Sequence, residues 1–326
     1  MPVFVPRLKE KGLLDNIEIT LAIVGSRKIY EKDDYGASVW NIFIPNLIIY
    51  GFDADPDACE AAEAKLAAEQ INWKEKHIPL ALSKSIGEAN LYVTKGLDCT
   101  SLYPPNESFV KRFRIFKRSF ELDFTVTLET TTLDAFCQEE DIQNIDFLQI
   151  DVQGADLDVL QGASELLKRS VLGIEIEVEF SPLYINQPLF TDIDVYLRKE
   201  GFSLFDLESH HPACRLSRDC SPIYSTVRQG QLLWADAFYL RDPIMHSNSR
   251  ANEEPEQILK LACIADVLDF PDYALELLEY LTLNYGESPK YNFAQIIIET
   301  LSQFPALVEK GLDSLPIVAN LRPYLR

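Results

Sequence analysis

No run of about 18 apolar residues occurs in this 326-residue chain, so a helix long enough to span a bilayer is not encoded. Its opening segment, MPVFVPRLKEKG, lacks the apolar stretch of a secretory signal, and a cytoplasmic location is the expectation. Cysteine is scarce and scattered. The six (59, 99, 137, 214, 220 and 263) include no CxxC pair, which favours reduced thiols over a disulfide framework or a zinc ribbon. Glycine numbers 13 and nowhere forms GxGxxG, so the glycine-lined cradle that lets backbone approach a pyrophosphate is missing. Positive charge is also short: 30 Lys and Arg against 51 Asp and Glu leave a formal charge of -21. Such a surface repels nucleic-acid phosphates and anionic lipid, which need cations for every contact. The local exception, KRFRIFKR (111 to 118), is read as a solvated face.

What the chain does have, from residue 18 to 242, is alternation of strand-like and helix-like segments, the pattern of an α/β fold with a parallel sheet and helices on both faces. The predicted strands are 17–25, 46–53, 74–82, 146–151, 171–180, 202–208 and 232–240. PDACEAAEAKLAAEQ, rich in good helix formers and carrying Pro56 in its first turn, follows the second strand. ADLDVLQGASELLKRS follows the fourth, and TDIDVYLRKEG, closed by a glycine, follows the fifth. Segment 83–132 breaks the rhythm with a short strand, the loop SLYPPN and a β-branched run, as lids and binding loops do. Residues 209–231 read as a long polar loop. The expected division is a domain over 1–245, a linker over 246–256 and a small all-helical region over 257–326, through which the chain could form a homo-oligomer.

Open parallel sheets bind ligands beyond the carboxyl ends of their strands. The first strand ends in Gly25-Ser26, where one glycine allows close approach to a nucleoside without phosphates. The second ends in Gly51-Phe52-Asp53-Ala54-Asp55-Pro56. A carboxylate there accepts hydrogen bonds from both hydroxyls of a ribose, so Asp53 is the ribose candidate and Asp55 the helix cap. Ala81 and Leu82, at the third strand's end, are small enough to border an adenine. In DFLQIDVQGADLDVLQGA (146 to 163), an apolar run stops at Asp151, with Gly154 bending the chain into a helix. Glu175, Glu177 and Glu179 alternate along the fifth strand and share a face. Glu179, nearest the carboxyl end, is the preferred base beside Asp151. His210 and His211 titrate in the range a base needs, and His210 is the third catalytic candidate. With Cys214 and Cys220 they match no zinc spacing, and no metal site is expected.

ALS (81 to 83), GEANLYV (87 to 93), SLYPPN (101 to 106), TLDAF (132 to 136), DFLQIDVQGADLDVLQGA and EIEVEFSPLYINQPLF (175 to 190) together, in this order, resemble the FkbM-type methyltransferase family over roughly residues 18 to 242. The resemblance implies a class I, Rossmann-like methyltransferase fold, a seven-stranded sheet with its last strand antiparallel, followed here by the helical appendage. It implies S-adenosylmethionine as cofactor and a hydroxyl of a sugar, polysaccharide or secondary metabolite as methyl acceptor. Two positions depart from the pattern. Ile23 stands where relatives carry an acid, and Gln153 where many carry Glu. The first departure motivates an alternative, a methyltransferase fold kept as a binding or scaffold protein with transfer weakened or lost.

Overall fold

The computed structural model describes residues 1–325 apart from 28–35, 37, 117, 214, 216–224, 226, 229 and 246–253, with backbone alone at 209, 210, 212 and 213. The described strands are β1 (Ile19–Val24), β2 (Leu47–Phe52), β3 (Lys74–Ile78), β4 (Ala81–Leu82), β5 (Gly87–Thr94), β6 (Leu122–Thr131), β7 (Phe147–Ile150), β8 (Gly173–Glu179), β9 (Phe202–Ala213) and β10 (Gln231–Arg241). Seven of them form one sheet in the order β3-β2-β1-β7-β8-β10-β9. All neighbours run parallel except β10, which is antiparallel to both β8 and β9. This is the class I methyltransferase topology.

The helices are α1 (Val5–Glu10), α2 (Pro56–Glu69), α3 (Glu107–Val110), α4 (Leu133–Glu139), α5 (Asp156–Gly162), α6 (Ser164–Arg169), α7 (Phe190–Lys199), α8 (Pro255–Val267), α9 (Pro271–Tyr285), α10 (Ala294–Leu301), α11 (Pro305–Lys310) and α12 (Pro316–Leu321). None is long and apolar enough to cross a membrane. β1 is buried along its whole length because its two faces serve two cores. Ala22 and Val24 join Leu148, Ile174 and Val178 beneath α4 to α7. Leu21 and Ile23 join Leu47, Ile49 and Phe147 on the opposite face, against α1 and the helices from α8 onward.

That second core changes the picture of the C-terminal region. The described helices after residue 254 do not stand apart from the sheet, since their apolar residues share one cluster with β1, β2 and β7. Polar contacts fix them there. Lys260 on α8 donates to the buried Asp146 carboxylate at 2.9 and 3.0 Å, and Asp146 also accepts from Thr20 N of β1 at 2.9 Å. Asp266 accepts from the backbone N–H groups of Val3, Phe4 and Val5 at 2.8, 2.8 and 2.7 Å, which caps α1 from another helix. Most of the expected linker, 246–253, lies outside the described residues.

Three further expectations need correction. The strand expected over 74–82 is two strands in two sheets. Pro79 has no N–H to extend the ladder, and Leu80 N turns back to Ile78 O at 2.9 Å. The helix after Asp151 is two, α5 and α6, meeting at Ala163. Finally, residues 209–213 belong to β9, which stays paired with β10 through register shifts that bring His211 opposite Trp234. A smaller sheet, β4-β6-β5, carries the β5–β6 ribbon, in which Leu91 pairs with Val126 and Val93 with Phe124.

Candidate active site

A cavity of about 1090 Å³ opens at the carboxyl ends of β1, β2, β7 and β8. Gly25, Ser26, Asp53, Ala81, Leu82 and Asp151, the six expected cofactor contacts, all line it. Gly25 has φ +88°, and a Cβ there would fall 2.0 Å from Asp151 O, so only glycine lets β1 and β7 end side by side. Asp53 accepts from Asp55 N at 2.8 Å, while Asp55 accepts from Asp57 N at 3.0 Å and caps α2. Arg27 pairs with Asp55 as well. Burial pushes the Asp53 carboxyl above its usual range, partly offset by its bond to the Asp55 backbone.

Ser26 is the outer member of a polar chain that no single sequence motif announces. Its Oγ lies 3.1 Å from His77 Nδ1, and His77 Nε2 lies 3.0 Å from Glu75 Oε1, with Trp73 Nε1 donating to Glu75 Oε2 at 2.7 Å. The His77 and Glu75 side chains are buried. They reach Ser26 over Gly51, where a Cβ would lie 2.5 Å from His77 Nδ1 and 2.8 Å from Ser26 Oγ. The sequence signal for this chain is alternation: Trp73, Glu75 and His77 occupy every second position and therefore one face.

Toward β8 the cavity floor is acidic. Asp151, Glu177 and Asp236 line it, Asp236 being the cross-strand partner of Glu177. Gln153 holds the first two together. Its Nε2 donates to Asp151 Oδ1 at 2.7 Å and to Glu177 Oε2 at 2.9 Å, and its Oε1 accepts from the Tyr184 hydroxyl at 2.9 Å. Both amide hydrogens are thereby spent on carboxylates, which fixes the amide's orientation. Asp156 lies within the same turn, accepting from Val152 N at 3.0 Å and Gly154 N at 2.9 Å. Burial first, and the nearby Asp151 charge second among the forces raising it, push its carboxyl up to about 7. Burial likewise drives Glu177 well above the ordinary glutamate range, reinforced by the charges of Asp151, Glu179, Asp156 and Asp236.

The preferred base, Glu179, does not reach the cavity. It is 1% exposed because the chain after β8 folds back over it through the buried Ser181, Tyr184 and Gln187. Among the described residues neither carboxylate oxygen has a hydrogen-bond partner; Gln187 favours its charged form from nearby without bonding geometry, and burial holds the group well above its usual range. Glu177, one pleat earlier on the same face, lines the cavity in its place. The His210 side chain lies outside the described residues, whereas His211 lines the cavity and stacks on Trp234 at 4.6 Å and 10°. Among the described residues no group of three or more His, Cys, Asp or Glu is arranged to hold a metal ion.

The remaining wall is apolar. Leu91 and Val93 face the cavity from β5, Phe124 and Val126 from β6, with Ile115 and Phe116 beside them. Phe124 is 54% exposed and Val126 43%, which is unusual for adjacent apolar residues on one strand face and marks a surface for a ligand. The stretch 111–118 is thus only half a solvated face: Phe113 and Phe116 are buried and join Leu183, Tyr184 and Leu233 in a cluster of their own.

Known proteins resemble the chain as follows. It is 36% identical over 74 residues to "2-O-methyltransferase NoeI" of Sinorhizobium fredii (strain NBRC 101917 / NGR234), a match covering 22% of this chain and 30% of that protein. Among solved structures, an FkbM methyltransferase from Methylobacillus flagellatus KT aligns with TM-score 0.39 and 10% identity over 68% of this chain and 43% of its own. The magnesium protoporphyrin IX methyltransferase of Synechocystis PCC 6803, solved with bound SAM, aligns with TM-score 0.33 and 12% identity over 73% of this chain and 76% of its own. The sequence model of the Methyltransferase FkbM domain matches residues 29–204. Since that match takes in more than half of the chain, the protein belongs to the FkbM family of S-adenosylmethionine-dependent methyltransferases.

Proposed function

We propose that the chain is an O-methyltransferase acting on a hydroxyl of a sugar, polysaccharide or secondary metabolite. The observation that carries the reading is the cavity's lining: Gly25, Asp53, Ala81 and Leu82 at the strand ends suited to a nucleoside, and a carboxylate floor with an apolar wall suited to an acceptor. The likeness to a protein named as a 2-O-methyltransferase supports oxygen as the accepting atom.

The residues present fit the cofactor. A glycine at φ +88° lets the backbone of β1 come close, and a carboxylate stands at the end of β2 with no phosphate cradle among the described residues. In this assignment Asp53 receives the ribose hydroxyls, Ala81 and Leu82 border the adenine, and Gly25 and Ser26 follow the amino-acid portion. S-adenosylmethionine supplies an electrophilic methyl group for in-line displacement by the acceptor oxygen. The protein's own work is alignment and proton removal. Glu177 and Asp151 are the carboxylates that border the acceptor end, and Gln153 positions both. A buried carboxylate with a raised pKa is the stronger base once it is ionised. Phe124 and Val126 offer an apolar surface for apolar parts of the acceptor.

A second reading, a binding or scaffold protein, draws on Ile23. Its side chain is 5% exposed and packed in the helical core, so that position offers the cofactor no carboxylate. Two measurements separate the readings. Calorimetric titration with S-adenosylmethionine and S-adenosylhomocysteine tests the cofactor site, and the O-methyltransferase assignment fails if neither binds. Labelled-methyl transfer to a panel of hydroxylated glycans and metabolites tests turnover; tight binding with no transfer to any of them favours the scaffold.

A further inference from the structure

We propose that Glu177 is charge-coupled to the methyl donor: it holds a proton while the donor site is empty, and releases that proton when a sulfonium binds in the cavity. The inference rests on the site reading given above and extends it to how the base is armed.

Glu177 lines the cavity from β8, paired across the strands with Asp236 and clamped to Asp151 by the two hydrogens of Gln153. An amide satisfies hydrogen bonds without cancelling charge. Next along the same strand face is Glu179, buried and, among the described residues, with neither oxygen hydrogen-bonded. Asp156 lies within the adjoining turn, the Tyr184 hydroxyl and the Cys99 thiol face this cluster from other elements, and His211, Arg27 and Lys95 line the same cavity. After burial, the strongest influences on Glu177 are the negative charges of Asp151, Glu179, Asp156 and Asp236, all of which favour its neutral form. A cation entering the cavity reverses that balance.

The chemical consequence is that net charge in the cavity is conserved. With the donor bound, a sulfonium faces an ionised Glu177. As the acceptor oxygen bonds to the methyl carbon, the C–S electron pair stays on sulfur, and the hydroxyl proton passes to Glu177. A neutral thioether then faces a neutral carboxyl. The sulfonium and the Glu177 carboxylate gain and lose their charges together, and the base is ionised only when there is a methyl group to transfer. An amine on the acceptor is the other cation that this floor would hold, and the experiment distinguishes the two.

The test is calorimetric titration of the full chain with S-adenosylmethionine and with S-adenosylhomocysteine, each in phosphate and in Tris at neutral pH, with no acceptor present. The dependence of the binding heat on the buffer's ionisation enthalpy counts protons released. The sulfonium is expected to release about one proton more than the thioether. Glu177→Gln is expected to abolish that difference, and to weaken S-adenosylmethionine on the order of tenfold while shifting S-adenosylhomocysteine much less. Should Glu177→Gln not fold, Asp236→Asn serves, because removing that neighbouring charge lets Glu177 ionise earlier and shrinks the difference. Equal proton counts for the two ligands in the unmodified protein overturn the coupling, as does a difference that survives both substitutions. If equal counts accompany proton release on adding an amine such as glucosamine, the floor belongs to the acceptor. Failure of both cofactor forms to bind overturns the methyltransferase reading itself, an outcome distinct from binding without differential release.

Discussion

Replacing Asp266 with alanine strikes the joint between the chain's start and its C-terminal helices. The carboxylate is 1% exposed and receives three backbone N–H groups, from Val3, Phe4 and Val5. α1 has no side-chain cap of its own at Phe4. Hydrogen bonds to a charged acceptor contribute about 1.5–3 kcal/mol each, so three bonds set a ceiling near 9 kcal/mol. Burial reduces this sum, and it is burial that holds the Asp266 carboxyl above its ordinary range. The donors also recover some solvation if α1 frays, although Phe4, Val5 and Leu8 would then lose burial in the core. A net loss of about 3–5 kcal/mol results, comparable to breaking a buried charge contact. In a chain of this size that lowers the thermal midpoint by roughly 4–7 °C. Differential scanning calorimetry of Asp266→Ala and Asp266→Asn reads it, with asparagine expected to lose less because its amide oxygen still accepts. A fall under about 2 °C for the alanine variant would show that α1 is held by apolar packing alone.

Other expectations follow from the site. Asp53→Ala should weaken S-adenosylmethionine ten- to hundredfold, about the worth of one or two charge-assisted hydrogen bonds. Unchanged affinity in calorimetry would remove Asp53 from the ribose. Gly51→Ala should destabilise the fold and disturb Ser26, since the added Cβ would lie 2.5 Å from His77 Nδ1; a crystal structure of the variant with the Ser26–His77 contact intact would contradict this. Asp156, raised to about 7, binds its proton more tightly folded than unfolded. Its contribution to stability is therefore full below the ordinary carboxylate pKa and is lost as pH rises toward neutrality. Midpoints measured from pH 4.5 to 8 should fall less steeply in Asp156→Asn than in the parent, and parallel curves would refute the assignment. Tyr184→Phe frees the Gln153 oxygen from its donor at 2.9 Å and should lower transfer rate more than cofactor affinity, as single-turnover and binding data would reveal.

How much of this was legible in the sequence depended on whether a residue's neighbours were local. The lining of the proposed cofactor end was readable because each of these residues follows an apolar run directly: Gly25, Asp53 and Asp151 are strand stops, and strand stops line such cavities. The acidic floor was half readable. Alternation put Glu175, Glu177 and Glu179 on one face, but which of them meets the cavity is decided by the return of residues 181–187 over Glu179. No spacing rule encodes that return. Gln153 seemed a lost charge beside its relatives, whereas its two hydrogens are what bring Asp151 and Glu177 together. The amphipathic faces of α8 to α10 announced that they would be covered, without saying that the cover would be the sheet itself.

The placement of β10 has a consequence for the order of assembly. It is the last strand in the chain, yet it sits between β8 and β9, so β9 has no partner in the sheet until residues 231–241 have been made. Asp236 meets Glu177 only at that step. During synthesis, the earlier part of the site can therefore form before the Asp236 carboxylate joins those of Asp151 and Glu177, and that charge is brought in after β1, β7 and β8 have registered. The pairing of β10 with β8 spans more of the sequence than its pairing with β9 and is the slower of the two to form. Here it also postpones the electrostatic cost until the surrounding sheet is able to bear it.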